Sequence, residues 1–216
     1  MTSDNMARRT RAARNRNIID PAAVYQEAVE GMDAIDQVDA WRSKHRALRE
    51  KWCAGKFGIG YQRFLKPSGI WVNDSNEGVD ADFFLYVDDR EYAFQTTEAR
   101  EPNWPPRHAE FKALARGELR SRPYEPERGR LEGPIWIRDQ IESKIKQRYS
   151  NTKALSLLVY ANFPARELEY EKIVEANLEV SSAFFSVWIL THTHLCSVSS
   201  TEELGSLHGW APIEAE

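Results

Sequence analysis

The chain carries only two cysteines, Cys53 and Cys196, among 216 residues. That is too few for a disulfide framework or a cysteine zinc site, and a reducing cytoplasm is the expected setting. No apolar run approaches the ~18 residues needed to cross a bilayer. The basic N-terminus lacks the apolar stretch and small-residue cleavage site of a secretion signal. No P-loop and no Gly-x-Gly-x-x-Gly turn is present, so nucleotide binding by either device has no support. Ser197, Ser199, Ser200 and Thr201 offer hydroxyls, but no Gly-x-Ser-x-Gly elbow surrounds them. No internal repeat is visible.

A strong positive charge is also missing. The formal net charge is -4, which does not describe a basic nucleic-acid binder as a whole. The charge is uneven, however. Residues 1–17 hold Arg8, Arg9, Arg11, Arg14 and Arg16 against Asp4, a local +4 that leaves -8 for the rest. Such a tail can neutralise phosphates with little geometric demand. The plainer alternative is a solvated leader. The remainder, 18–216, has the size of one domain.

Along the chain, Asp20-Pro21 is an N-cap followed by proline at the first helical position. A helix through Tyr25 and Val29 is expected to stop near Gly31. Asp33 caps a second, in which Ile35, Val38, Trp41, His45, Leu48 and Trp52 recur at spacings of three and four and end before Gly55. The stretch Tyr61 to Val72 contains the turn Pro67-Ser68-Gly69. Asp82 to Val87 and Glu91 to Thr97 read as strands around the turn Asp88-Asp89-Arg90, giving an antiparallel meander.

Residues 100–134 are interrupted by Pro102, Pro105, Pro106, Pro123, Pro126 and Pro134 and read as an insertion. Phe111, Leu114 and Leu119 suit one face of a short helix inside it. Pro134 opens the next helix, with Ile137, Ile141, Ile145 and Tyr149 every four residues. Leu155 to Tyr160 is a buried strand, and Glu167 to Leu178 a helix with Tyr170, Ile173, Val174 and Leu178 inward. Phe184 to Leu190 is a last strand. Strands followed by helix-linked strands predict an α/β fold, a mixed central sheet with helices on its faces.

Side chains alternate across a strand, so Ala93, Gln95 and Thr97 share one face and Tyr92, Phe94 and Thr96 the other, the expected core side. A hairpin brings Asp82, beside Asp80, near Gln95. A carboxylate and an amide oxygen suit a hard cation such as magnesium. On the following helix Lys144 falls about 20° from Ile137, at the edge of the buried stripe. It either snorkels past the core or points its ammonium across the sheet. His192, His194 and Cys196 are zinc-ligand types on one strand face. No fourth ligand accompanies them, and a mixed surface or core edge is the expectation.

Gly78-Val79-Asp80-Ala81-Asp82-Phe83 resembles the first acidic motif of the PD-(D/E)XK nuclease superfamily, and Tyr92-Ala93-Phe94-Gln95-Thr96-Thr97 its second. Ile137 through Tyr149, leading into Leu157 to Asn162, resembles the helix and strand that follow. The resemblance covers about residues 33 to 190. It implies a restriction-endonuclease-like αβββαβ core and a divalent-metal-dependent nuclease hydrolysing DNA. Gln95 stands in the usual carboxylate position and Thr97 in the usual lysine position. Glutamine can replace the acid in this superfamily and the lysine can migrate to the next helix, which makes Lys144 the migrated lysine. Asp82 and Gln95 would then hold Mg2+ and Lys144 would orient the nucleophile, with Glu98 a spare carboxylate. The rival expectation is a catalytically inactive binding module of the same fold, favoured by the -8 body and the missing acid and lysine. DNA or another nucleic acid is the expected partner. A protein partner or a second copy of the chain is the alternative.

Overall fold

The computed structural model describes residues 17–35, 45–73, 80–102, 113, 116–117, 125–147, 149, 151–163 and 168–213. Helix α1 spans Pro21–Asp33 and starts as its sequence dictates, with Asp20 Oδ1 accepting the Ala22 N–H at 2.9 Å. Helix α2 spans Arg46–Phe64. Strands β1 (Gly69–Val72), β2 (Phe83–Val87) and β3 (Arg90–Ala99) follow. Helix α3 is Pro126–Lys146, strand β4 Leu155–Ala161 and helix α4 Tyr170–Ser181. The described chain closes with β5 (Val187–Leu190), β6 (His194–Ser199) and β7 (Ala211–Pro212).

The strands form one sheet in sequence order. β1, β2 and β3 make an antiparallel meander, β4 and β5 run parallel to β3, and β6 and β7 return antiparallel. The β2–β3 turn places Asp88 and Asp89 at positive φ, 49° and 62°. Two left-handed residues match the twist of a tight hairpin, and aspartate tolerates that region better than most.

Two cores sandwich the sheet. On one face Ala54, Phe57 and Tyr61 of α2 and Val24 of α1 meet Phe83, Phe94, Leu158 and Trp188. On the other, Trp136, Ile137 and Ile141 of α3 and Ile173 of α4 meet Phe84, Leu157, Val159 and Ile189. Neighbouring strand residues therefore serve opposite cores. The face of β3 that carries Ala93, Gln95 and Thr97 is thus not an open polar side. α3 covers it, and Gln95 itself is buried.

Several boundaries differ from the sequence expectation. α2 does not end before Gly55 but runs through it to Phe64, so Tyr61 closes a helix, and its hydroxyl donates to Leu204 O at 2.7 Å. The glycines are contact points rather than stops. A Cβ on Gly55 would lie 2.5 Å from the Tyr25 backbone N. Pro134 lies inside α3, which begins two turns earlier at Pro126. Near Pro134, Gly133 packs against Phe163 and Leu168, and the Asn177 amide donates to Pro134 O at 3.2 Å. These contacts hold the helix through a residue that breaks isolated ones. At its end Lys144 turns inward and Ile145 outward. On α4 Asn177 is buried, whereas Leu178, expected inward, is exposed. Val38, Trp41, Phe111, Leu114 and Leu119 lie outside the described residues.

No helix among the described residues is long and apolar enough to cross a membrane. Gly55→Ala should lower the urea midpoint at unchanged m, by about 1–3 kcal/mol of stability. The added methyl meets backbone, which no rotamer change relieves. A wild-type midpoint would mean that α1 does not dock on α2 this closely.

Candidate functional site

Because β3, β4 and β5 are parallel, their carboxyl ends share one edge of the sheet. Open α/β sheets place ligands in the crevice outside such ends. A cleft of about 470 Å³ lies here. β3 contributes Thr96, Thr97 and Glu98, β4 contributes Tyr160, and His192 follows β5. The start of α2 adds Arg46, Arg49, Glu50 and Trp52, and the end of α3 adds Lys144.

Asp82 anchors the edge. Its backbone N–H donates to Phe94 O at 2.8 Å and its carbonyl accepts from the Asn73 N–H at 2.9 Å. The Thr96 amide, one step further along β3, is met by the Asp82 side chain instead. Oδ2 accepts both the Thr96 N–H and the Thr96 Oγ–H at 2.7 Å. Oδ1 faces the Arg46 guanidinium at 3.8 Å.

Around that carboxylate three further charges gather. Glu50 ion-pairs with Arg46, one turn before it on α2. Burial, then repulsion from Asp82, pushes the Glu50 carboxyl above its usual range, and the Arg46 partner only partly opposes this. Burial pulls the Lys144 ammonium below its usual value, while Asp82 pulls it back. Burial is also the largest influence on Arg46, but the Glu50 hydrogen bond and the charges of Glu50 and Asp82 overcome it and raise the guanidinium. Tyr149, whose ring lies 5.9 Å from Lys144 Nζ, has its phenol pushed up to about 12 by burial and then by Asp82. Arg49 is lowered by burial, against the attraction of Glu98 and Glu50.

The structure thus brings Asp82 and Lys144 into one electrostatic cluster. Lys144 does not snorkel outward; it is 9% exposed. Neither Asp82, which stands behind Thr96 and Arg46, nor Gln95, which is 6% exposed, is among the described residues lining the cleft. Glu98 does line it, with the Asn162 amide donating to its carboxylate. His192, His194 and Cys196 separate. His192 stacks on Trp52 with ring centroids 5.9 Å apart, His194 faces Trp210, and Cys196 is buried in the α3–α4 core. Arg8, Arg9, Arg11, Arg14 and Arg16 lie outside the described residues.

Sequence reasoning missed Glu50, Arg46 and Arg49. No sequence signal marked them, since the expected helix starts at Asp33; the structure alone puts Arg46 at a helix N-terminus, where the macrodipole disfavours a cation. Such a residue needs a local anion, here Glu50.

The donor chemistry suits a hard cation. Magnesium keeps several waters and takes one or two carboxylates, and Glu50 and Asp82 supply two from separate elements. Among the described residues no three His, Cys, Asp or Glu side chains are grouped to hold a metal. A cation here would rest on that pair and water, in competition with Arg46. No family model matches the chain, and no curated protein and no solved structure matches it.

Asp82→Ala and Asp82→Asn separate the architectural role of this carboxylate from its charge. Alanine leaves the Thr96 N–H and hydroxyl without their acceptor and should cost about 1–3 kcal/mol. Asparagine keeps an acceptor oxygen and should cost clearly less in the same denaturation experiment. Equal losses would show that the Thr96 bonds do not hold β3.

Proposed function

We propose that the chain is a divergent restriction-endonuclease-like protein that hydrolyses DNA phosphodiester bonds at the carboxyl-end cleft with a divalent cation. One observation carries this: Arg46 ion-pairs with Glu50 and faces Asp82 at 3.8 Å, so two carboxylates from separate segments gather about one cation at the cleft, within the charge influence of Lys144. The order of α2, the three antiparallel strands, α3 and the parallel β4 agrees with the core that the sequence motifs suggest.

Asp82 and Glu50 would hold the cation, without Gln95, which is buried away from the cleft. Bound there, Mg2+ would lower the pKa of a water and offset phosphate charge. Arg46 and Arg49 grip phosphate oxygens through charge-assisted hydrogen bonds. Arg46 does so by exchanging its carboxylate partners for the phosphate. Lys144, largely removed from water with its ammonium form favoured by Asp82 against burial, stabilises the charge that grows on the phosphate in the transition state. The arginines from Arg8 to Arg16 add sequence-independent attraction to the strand.

A second reading has its own observation. Arg46 already neutralises Glu50 and faces Asp82, while Thr96 occupies Asp82 Oδ2, so the cluster is balanced without a metal. That favours a catalytically inactive module that binds a nucleic acid or a protein partner.

Incubation with plasmid, linear duplex and single-stranded DNA and with RNA, in Mg2+ or Mn2+, tests the two. The nuclease reading expects cation-dependent products that fall at least ~10²-fold in Asp82→Asn and in Lys144→Met. Binding that survives chelator, with no products, would establish the inactive module. Cleavage undiminished in Asp82→Asn would remove the assignment.

A further inference from the structure

Part of the cleft lining is aromatic. Trp52 and His192 lie nearly parallel, 19° apart, with Tyr160 edge-on to Trp52 at 5.3 Å. All three line the cleft, His192 exposed and the other two half-buried. Behind Trp52, the Lys56 ammonium sits 5.2 Å from its ring and Tyr25 lies 6.0 Å away. The indole is therefore braced from behind, so little side-chain entropy remains to be lost when a ligand stacks on this wall.

Arg49 and Trp52 are three residues apart on α2, so one helix face presents a cation and an aromatic ring a turn apart. A nucleotide has the matching two-part chemistry: an anionic phosphate and a flat base. The volume, about 470 Å³, lies within the roughly 300–1,000 Å³ of pockets that enclose one small ligand. A paired, stacked base offers neither face to a side chain, and a base pair with two backbones exceeds such a space. An unpaired base offers its whole face.

We infer that the cleft takes an unpaired nucleotide, its base on the exposed face of His192 that Trp52 backs and its phosphate on Arg49 and Lys144, so the substrate is single-stranded DNA or an overhanging strand end. This rests on the phosphodiester reading above and names its substrate class.

Fluorescence anisotropy tests it with a labelled 12-nucleotide strand, the same strand bearing abasic positions, its blunt duplex, and a duplex with an overhang. Each is titrated with the full chain in EDTA and again in Ca2+. The strand and the overhang should bind at least tenfold more tightly than the blunt duplex. Abasic positions, Trp52→Leu and His192→Ala should each lower single-strand affinity by roughly five- to a hundredfold. Trp52→Phe should keep most of it, which separates stacking from misfolding, and His192 is exposed enough to replace safely. Arg49→Gln should weaken the strand and the overhang more than the blunt duplex. Equal affinity for strand and blunt duplex would overturn this inference and leave the phosphodiester reading standing. No binding of any DNA in either buffer would overturn both.

Discussion

Just before β2 begins, the Thr96 amide of β3 is met by no backbone carbonyl of β2, and the Asp82 carboxylate takes that place. An unpaired, part-buried donor costs about 1–3 kcal/mol. Exposed ion pairs such as Arg128–Glu132 on α3 contribute roughly 0–1 kcal/mol. The local geometry of this edge therefore depends on Asp82 more than on any surface pair. Fixing the carboxylate there also fixes a negative charge between the ends of α2 and α3. That charge attracts Arg46 and Lys144 and repels Glu50.

The two cores explain why these groups meet. α1 and α2 cover one face and α3 and α4 the other. The end of α1, the start of α2 and the end of α3 reach the edge where the parallel strands stop. The glycines of α2 permit the close helix contact that sets its position, as Gly55 does against Tyr25. The apolar packing thus delivers Arg46, Arg49, Glu50 and Trp52 to the cleft. The site is a by-product of how the helices seat on the sheet, which is why its groups come from elements remote in sequence.

Much of this framework was legible. The Asp20-Pro21 start, the Asp88-Asp89 hairpin and the apolar β4 all follow from local rules, whereas helical spacing put Lys144 at the edge of the buried stripe without deciding which way it points. What was not legible depended on distance in space. Gly55 reads as a helix stop until Tyr25 is seen against it, and Pro134 as a helix start until Gly133 and Asn177 are seen in contact. Gln95 reads as facing an open side because alternation names two faces but not what covers them. Glu50 and Arg46 read as an ordinary i,i+4 surface pair, since nothing local announces that Asp82 will stand beside them. β6 was read only in part, as the strand face of His194 and Cys196, because Ser and His dilute its apolar signal, and the two-residue β7 is too short to leave a pattern.

Carbon-detected NMR titration of the Glu50 carboxyl tests the mutual coupling of these charges most directly. Glu50 should titrate above the ordinary glutamate range. Asp82→Asn should bring it down by removing a repelling charge, and Lys144→Met should move it further up by removing an attracting one. An ordinary Glu50 titration, unchanged in both variants, would contradict the account.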